Sequence, residues 1–116
     1  MSRKTKPGRA LVFAALGDET RLSLVARLSG GRPHSIARLT EGSAVSRQAI
    51  TKHLHVLESA GLVRSVRVGR ESLYEFDPEP IEDLKGYLDR VSLQWDDALS
   101  RLKSFVEEQP RDQVSL

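Results

Sequence analysis

The chain has 116 residues, 39% hydrophobic and 29% charged, with a net charge of +2 and no cysteine. That length suits one small domain and is too short for two full cores. The missing thiol excludes thiolate metal sensing, disulfide or persulfide sensing and cysteine nucleophiles, and no stretch approaches the roughly 18 apolar residues of a membrane span. The basic amino terminus has neither the apolar core nor the cleavage site of a secretory signal, so the expected location is the cytoplasm.

In chain order, residues 1–9 read as a basic disordered arm. Arg3, Lys4 and Lys6 there are either a solvated tail or cations that reach a minor groove. A short apolar helix spans Arg9 to Leu16. Asp18 caps a second helix from about Glu19 to Ser29, with Leu22, Val25 and Leu28 inward and Gly30-Gly31 as its stop. After Pro33, a short helix from about Ser35 to Thr40 turns Ile36 and Leu39 inward. Glu41-Gly42-Ser43 then makes the turn of a helix-turn-helix.

The helix after that turn carries most of the chemistry. Ser46 is positioned as its N-cap and Gly61 as the left-handed residue that ends it, giving a helix from about Arg47 to Ala60. At about 100° per residue, Ile50, Leu54 and Leu57 share one stripe with Ala60 at its edge, while Gln48, Thr51, Lys52 and His55 lie opposite. Gln, Arg, Lys and Thr side chains all have base-edge partners in the major groove, and Arg47 sits near the helix start, where base contacts concentrate. The plainer reading is an ordinary amphipathic surface helix.

Two short strands follow, Val63–Val68 and Glu71–Phe76, joined by Gly69-Arg70. A glycine in the first loop position suits a type II′ hairpin. The register then sets Val68 opposite Glu71, Val66 opposite Leu73 and Arg64 opposite Glu75, one apolar and one opposite-charge pair among them. Arg67 and Arg70 fall beside the tip, either as a basic wing against phosphates or as solvated charges that blunt a sheet edge.

Beyond Pro78, Ile81, Leu84, Leu88, Val91, Trp95, Ala98, Leu102 and Phe105 recur three and four residues apart, a heptad seam. A helix from about Pro80 to Glu108 would be roughly 42 Å long, too long for one small domain to cover. A second copy is the simplest partner, and a dimer would present two reading helices to half-sites about one DNA turn apart. The alternative is that Trp95 and Leu102 fold back on their own domain. The expected organisation is therefore an arm (1–9), a DNA-binding domain (10–77), a dimerisation helix (78–108) and a flexible tail (109–116).

Charge follows the same division. Residues 1–76 hold 13 Lys and Arg against 6 Asp and Glu, a balance of +7, and residues 77–116 hold 5 against 10, a balance of −5. A basic front and acidic back orient the molecule toward a polyanion, unless the partition is chance.

Thr51-x-His53-Leu54-x-x-Leu57-Glu58-x-Ala60-Gly61-Leu62-Val63, followed by Arg67-x-Gly69-Arg70-x-x-x-Tyr74, resembles the ArsR-type winged helix-turn-helix repressors. Upstream, Ala14, Leu16-Gly17-Asp18 and Thr20-Arg21-Leu22 match that family's opening helices, although Glu19 stands where many members have Pro. The resemblance covers roughly residues 10 to 106 and implies a mostly α fold with a small β-hairpin (α+β), a winged helix-turn-helix with a long C-terminal dimerisation helix. It also implies a homodimer that binds an inverted repeat of double-stranded operator DNA, with pairing through the terminal helix and the first one, which adds Leu11 to the interface.

The family's metal sensors carry Cys-x-Cys on the helix before the turn, where this chain has Ser35-Ile36-Ala37-Arg38-Leu39-Thr40-Glu41. Other members use Asp and His on the terminal helix, which here lacks His, and carboxylates alone make a poor transition-metal site. His53 and His55 diverge on their helix and His34 is distant, so His53 reads as a hydrogen-bonded scaffold residue and His55 as a DNA contact. No metal, cofactor or membrane is expected, and any effector is unspecified. Catalytic constellations do not stand out either, and Asp96-Asp97 read as a solvated face. The expected DNA contacts are Ser46, Arg47, Gln48, Thr51, Lys52, His55, Arg67 and Arg70. The competing class is a winged-helix protein-interaction module that binds no specific DNA.

Overall fold

The computed structural model describes residues 8–108. The elements are α1 (Arg9–Leu16), α2 (Glu19–Leu28), β1 (His34–Ser35), α3 (Ile36–Thr40), α4 (Arg47–Ser59), β2 (Val63–Val68), β3 (Glu71–Phe76) and α5 (Glu79–Glu108). Arg9 opens α1, as the sequence suggested. The rest of the expected arm, with Arg3, Lys4 and Lys6, and the expected tail at 109–116 lie outside the described residues.

Local chemistry accounts for the helix boundaries. Asp18, Ser35 and Ser46 each accept a backbone N–H three residues on, from Arg21 at 3.0 Å, Arg38 at 3.1 Å and Ala49 at 3.1 Å, which satisfies one orphan donor per helix. At the far end of α4, the Leu62 N–H bonds the Leu57 carbonyl at 2.9 Å and the Gly61 N–H bonds that of Glu58 at 3.0 Å. This pair of bonds is a Schellman stop, and it needs the left-handed residue that Gly61 supplies at φ 78°. Leu57 and Leu62, the two residues whose apolar contact accompanies such a stop, are both fully buried.

The strands form an antiparallel sheet in the order β1-β3-β2. Val68 faces Glu71, Val66 faces Leu73 and Arg64 faces Glu75, as the two-residue loop dictates. Gly69 has φ 62°, and no other residue type among those described has positive φ. Arg70 is thereby on the negative side, the combination of a type II′ and not a type I′ turn. β1 has no counterpart in the periodicity of the sequence: two residues give no pattern, and the strand exists only because His34 and Ser35 pair with Tyr74 and Leu73.

The chain divides into two compact units after Glu82. In the first, α4 packs on α1, α2, α3 and β2. The core consists of Val12 and Ala15, Leu24 and Leu28, Leu39, then Ile50, Leu54, Leu57 and Ala60, and finally Leu62, Val63 and Tyr74. One inward assignment needs correction. Leu22 is 50% exposed and Leu24 is buried in its place, because three-residue steps from 22 to 25 to 28 each drift about 60° around a helix and define no single face. Ile36 and Val25 are half-buried.

In the second unit α5 runs unbroken to Glu108. Its apolar stripe includes exposed Leu88, Trp95, Leu102 and Phe105, and also Leu99 and Val106, which the heptad reading left out. Leu84 is buried within the chain, so it has little surface to give a partner. Val91 and Ala98 are half-buried, as is Ile81 at the start of the helix. No helix among the described residues is long and apolar enough to cross a membrane.

Leu54 has no exposed surface. Leu54→Ala should lower stability by about 2 to 5 kcal/mol, the range for truncating a buried leucine, measured as a fall in the urea midpoint at constant slope. A loss within about 0.5 kcal/mol, the size of ordinary surface substitutions, would show that α4 is not anchored through this residue.

Candidate nucleic-acid interface

The outward face of α4 is aimed by polar contacts as well as by its core stripe. Arg21 of α2 donates from Nε to the Ala15 carbonyl at 2.6 Å and from Nη2 to that of Ala14 at 3.4 Å, both at the end of α1. Its Nη1 lies 3.1 Å from Nδ1 of His53 on α4. Guanidinium only donates, so Nδ1 is the acceptor and the ring proton sits on Nε2. His53 is the hydrogen-bonded scaffold residue that its position suggested. Arg27, one helical turn past Arg21 and two residues more, donates to the Leu39 and Arg38 carbonyls at 2.8 and 3.1 Å. Arginine suits both places because the last carbonyls of a helix lack partners and carry partial negative charge. Neither role was inferred from sequence, although Arg21 does fall on the inward stripe of α2 with Leu24, Val25 and Leu28, an unusual place for a cation.

With α4 held this way, Arg47, Gln48, Lys52 and His55 are exposed and Thr51 is half-buried. The Ser46 hydroxyl oxygen accepts its capping bond and keeps its own proton to donate, while the Thr51 hydroxyl donates to the Arg47 carbonyl at 2.9 Å. The side chains of Arg47, Gln48, Lys52 and His55 have no partner among the described residues. Five potential base-reading side chains therefore share one uncovered helix face.

The hairpin separates its arginines in the same way. Arg64 is held by Glu75 at 2.7 Å and by Asp77 at 3.3 Å, which secures the base of the wing. Arg67 and Arg70, nearer the tip, are exposed and have no partner among the described residues. Tyr74 is buried where β3 meets both neighbouring strands, and burial, with the nearby Glu58 carboxylate, pushes its phenol above the usual range. The fold thus leaves unpaired cations on a helix and a wing, the two elements that address a groove and its flanking phosphates.

Metal binding finds no support in the donor set. No group of three His, Cys, Asp or Glu side chains among the described residues could hold an ion. The residues where family sensors place thiolates form α3, with Leu39 in the core and Ser35 capping it.

Asp18 stands at the junction of these contacts, with Oδ2 3.8 Å from His53 Nδ1. The backbone N–H of Arg21 holds its carboxyl below the usual carboxylate range, burial opposes this, and the charge of Arg21 adds to the lowering. A depressed folded-state value means that the stabilisation is present above the unfolded value and is lost as pH falls through the folded one. Thermal melts of wild type and Asp18→Asn should accordingly differ in favour of wild type near pH 7 and converge in acid, as the pH falls through the lowered folded-state value of the carboxyl. A gap that persists unchanged into acid would show that the charge contributes nothing.

The sequence profile of the helix-turn-helix domain family matches residues 16–66. The HTH-type transcriptional regulator Rv2034 of Mycobacterium tuberculosis is 35% identical over 112 residues, 97% of this chain and 99% of that protein. The HTH-type transcriptional regulator YuzN of Bacillus subtilis is 40% identical over 85 residues, 67% of this chain and 92% of that one. Among solved structures, an ArsR-like transcriptional regulator from Rhodococcus sp. RHA1 superposes with a TM-score of 0.78 at 40% identity, over 87% of this chain and 92% of its own.

Proposed function

This chain belongs to the ArsR family of winged helix-turn-helix transcriptional regulators, and from that premise we propose that it is a homodimeric repressor of its own or a neighbouring operon. Two copies bind an inverted repeat, each setting α4 into a major groove, and they exclude RNA polymerase from the promoter. The observation that carries this reading is the face of α4, where Arg47, Gln48, Lys52 and His55 are exposed with their polar groups unengaged. Arg67 and Arg70 clamp the flanks by phosphate contact. A protein acting on promoter DNA works in the cytoplasm.

Dimerisation is part of the mechanism, since one helix-turn-helix buries little surface on DNA and gains most of its affinity from the second half-site. The interface is assigned to Leu11 of α1 and to the α5 stripe of Leu88, Val91, Trp95, Leu102 and Phe105, to which Leu99 and Val106 now add. Trp95 at 63% and Leu102 at 56% exposed offer apolar surface to a partner helix.

Footprinting upstream of the gene at two salt concentrations tests the whole reading. The expected result is a protected inverted repeat, with half-sites about one turn apart and steep weakening as salt rises. No protection, with salt-insensitive binding to a protein partner, would favour an interaction module instead. On the protected site Gln48→Ala should cost about 1 to 3 kcal/mol and leave random DNA unaffected, while Arg70→Ala should weaken all sequences alike and reduce the salt slope by about one. Equal losses for Gln48→Ala on operator and random DNA would remove its reading role. Trp95→Glu combined with Leu102→Glu should sediment as a monomer and lose operator binding, whereas a dimer surviving both changes would place the interface elsewhere.

A further inference from the structure

Thr51 differs from the other side chains on the outward face of α4 in that its polar hydrogen is already engaged inside the protein. The hydroxyl donates to the Arg47 carbonyl at 2.9 Å, a bond that Thr often makes one turn back along a helix. A hydroxyl carries one proton, so Thr51 has no donor left for a base. What remains is its methyl group and the oxygen lone pairs. Arg47 and His55, one turn to either side, and Gln48, three residues before, are exposed and keep their side-chain donors and acceptors unengaged.

The geometry points to Thr51 as a thymine reader, its methyl packing on the C5 methyl of one thymine in each half-site, beside the base pairs addressed by Gln48 and His55. Thymine is the one base that presents a methyl group in the major groove. The fixed hydroxyl removes the alternative of donating to guanine or to the thymine carbonyl, so discrimination rests on apolar contact and shape. This deepens the assignment of α4 to the major groove and rests on it. The competing use of the side chain, accepting from adenine N6 or cytosine N4 through the lone pairs, is separated by the choice of variants.

The test replaces thymine by deoxyuridine, one position at a time, in an operator fragment that the wild-type protein already protects, with Kd read by fluorescence anisotropy. One position per half-site should weaken wild type about fourfold, the effect of withdrawing one methyl from a buried contact. Thr51→Ser keeps the hydroxyl and loses the methyl in both subunits, and should bind the unmodified operator about sixteenfold more weakly, two such contacts being lost, and ignore uridine at that position. Thr51→Val keeps a methyl without the hydroxyl and should retain the sensitivity. Wild-type indifference at every thymine, full sensitivity in Thr51→Ser, or its loss in Thr51→Val each overturns the assignment. Absence of any protected operator would be seen on unmodified DNA, before uridine is introduced, and would remove the DNA-reading assignment and this one together.

Discussion

Burial of one stripe on α4 decides what the opposite stripe can do. Ile50, Leu54, Leu57 and Ala60 have essentially no exposed surface, and a helix so held cannot rotate about its axis without bringing leucine into water. Burying each of Ile50, Leu54 and Leu57 is worth roughly 1.5 to 3 kcal/mol. Rotation by a single residue would replace Gln48 and His55 on the outward face by their neighbours. The Schellman stop at Gly61 fixes the same helix along its length, because Leu62 is drawn into the core and sets where β2 begins. The wing is thus placed by the end of the reading helix.

Arginine serves two purposes in this fold, and its surroundings separate them. Arg21 and Arg27 close the carbonyl ends of α1 and α3, and Arg64 ties the two strands of the wing at their base. These residues hold elements in position. Arg47, Arg67 and Arg70 have no such partners and keep their donors for a ligand. Net charge cannot distinguish the two groups, and the balance of +7 over residues 1–76 overstates the cations available to a polyanion. A bidentate fork explains why Arg and not Lys occupies the structural places, since each of Arg21 and Arg27 reaches two carbonyls on one neighbour.

The apolar stripe of α5 is wider than a two-position coiled-coil seam. Leu99 and Val106 lie one residue beyond Ala98 and Phe105 and extend the exposed surface to a band of the width that helices use in bundles. Such a band suits packing against more than one neighbouring helix, and a pairing that draws on α1 as well as α5 supplies more than one.

Sequence by itself determined the helices and the caps at Asp18 and Ser46, the wing with its register and turn type, and the face of α4 that carries Gln48, Thr51, Lys52 and His55. All of these follow from rules that act between residues two to four apart: an N-cap and its donor, the 3.6-residue period, the positive φ of a glycine. The tertiary structure decided the rest. Choosing Leu24 over Leu22 for the core, pairing His34-Ser35 as an edge strand, setting Arg21 against His53 and consuming the donors of some arginines but not others all depend on partners elsewhere in the fold. Local pattern does not encode distance between residues far apart in the chain, so the outward face of α4 was legible from the start, whereas the contacts that aim it became visible only when the chain was folded.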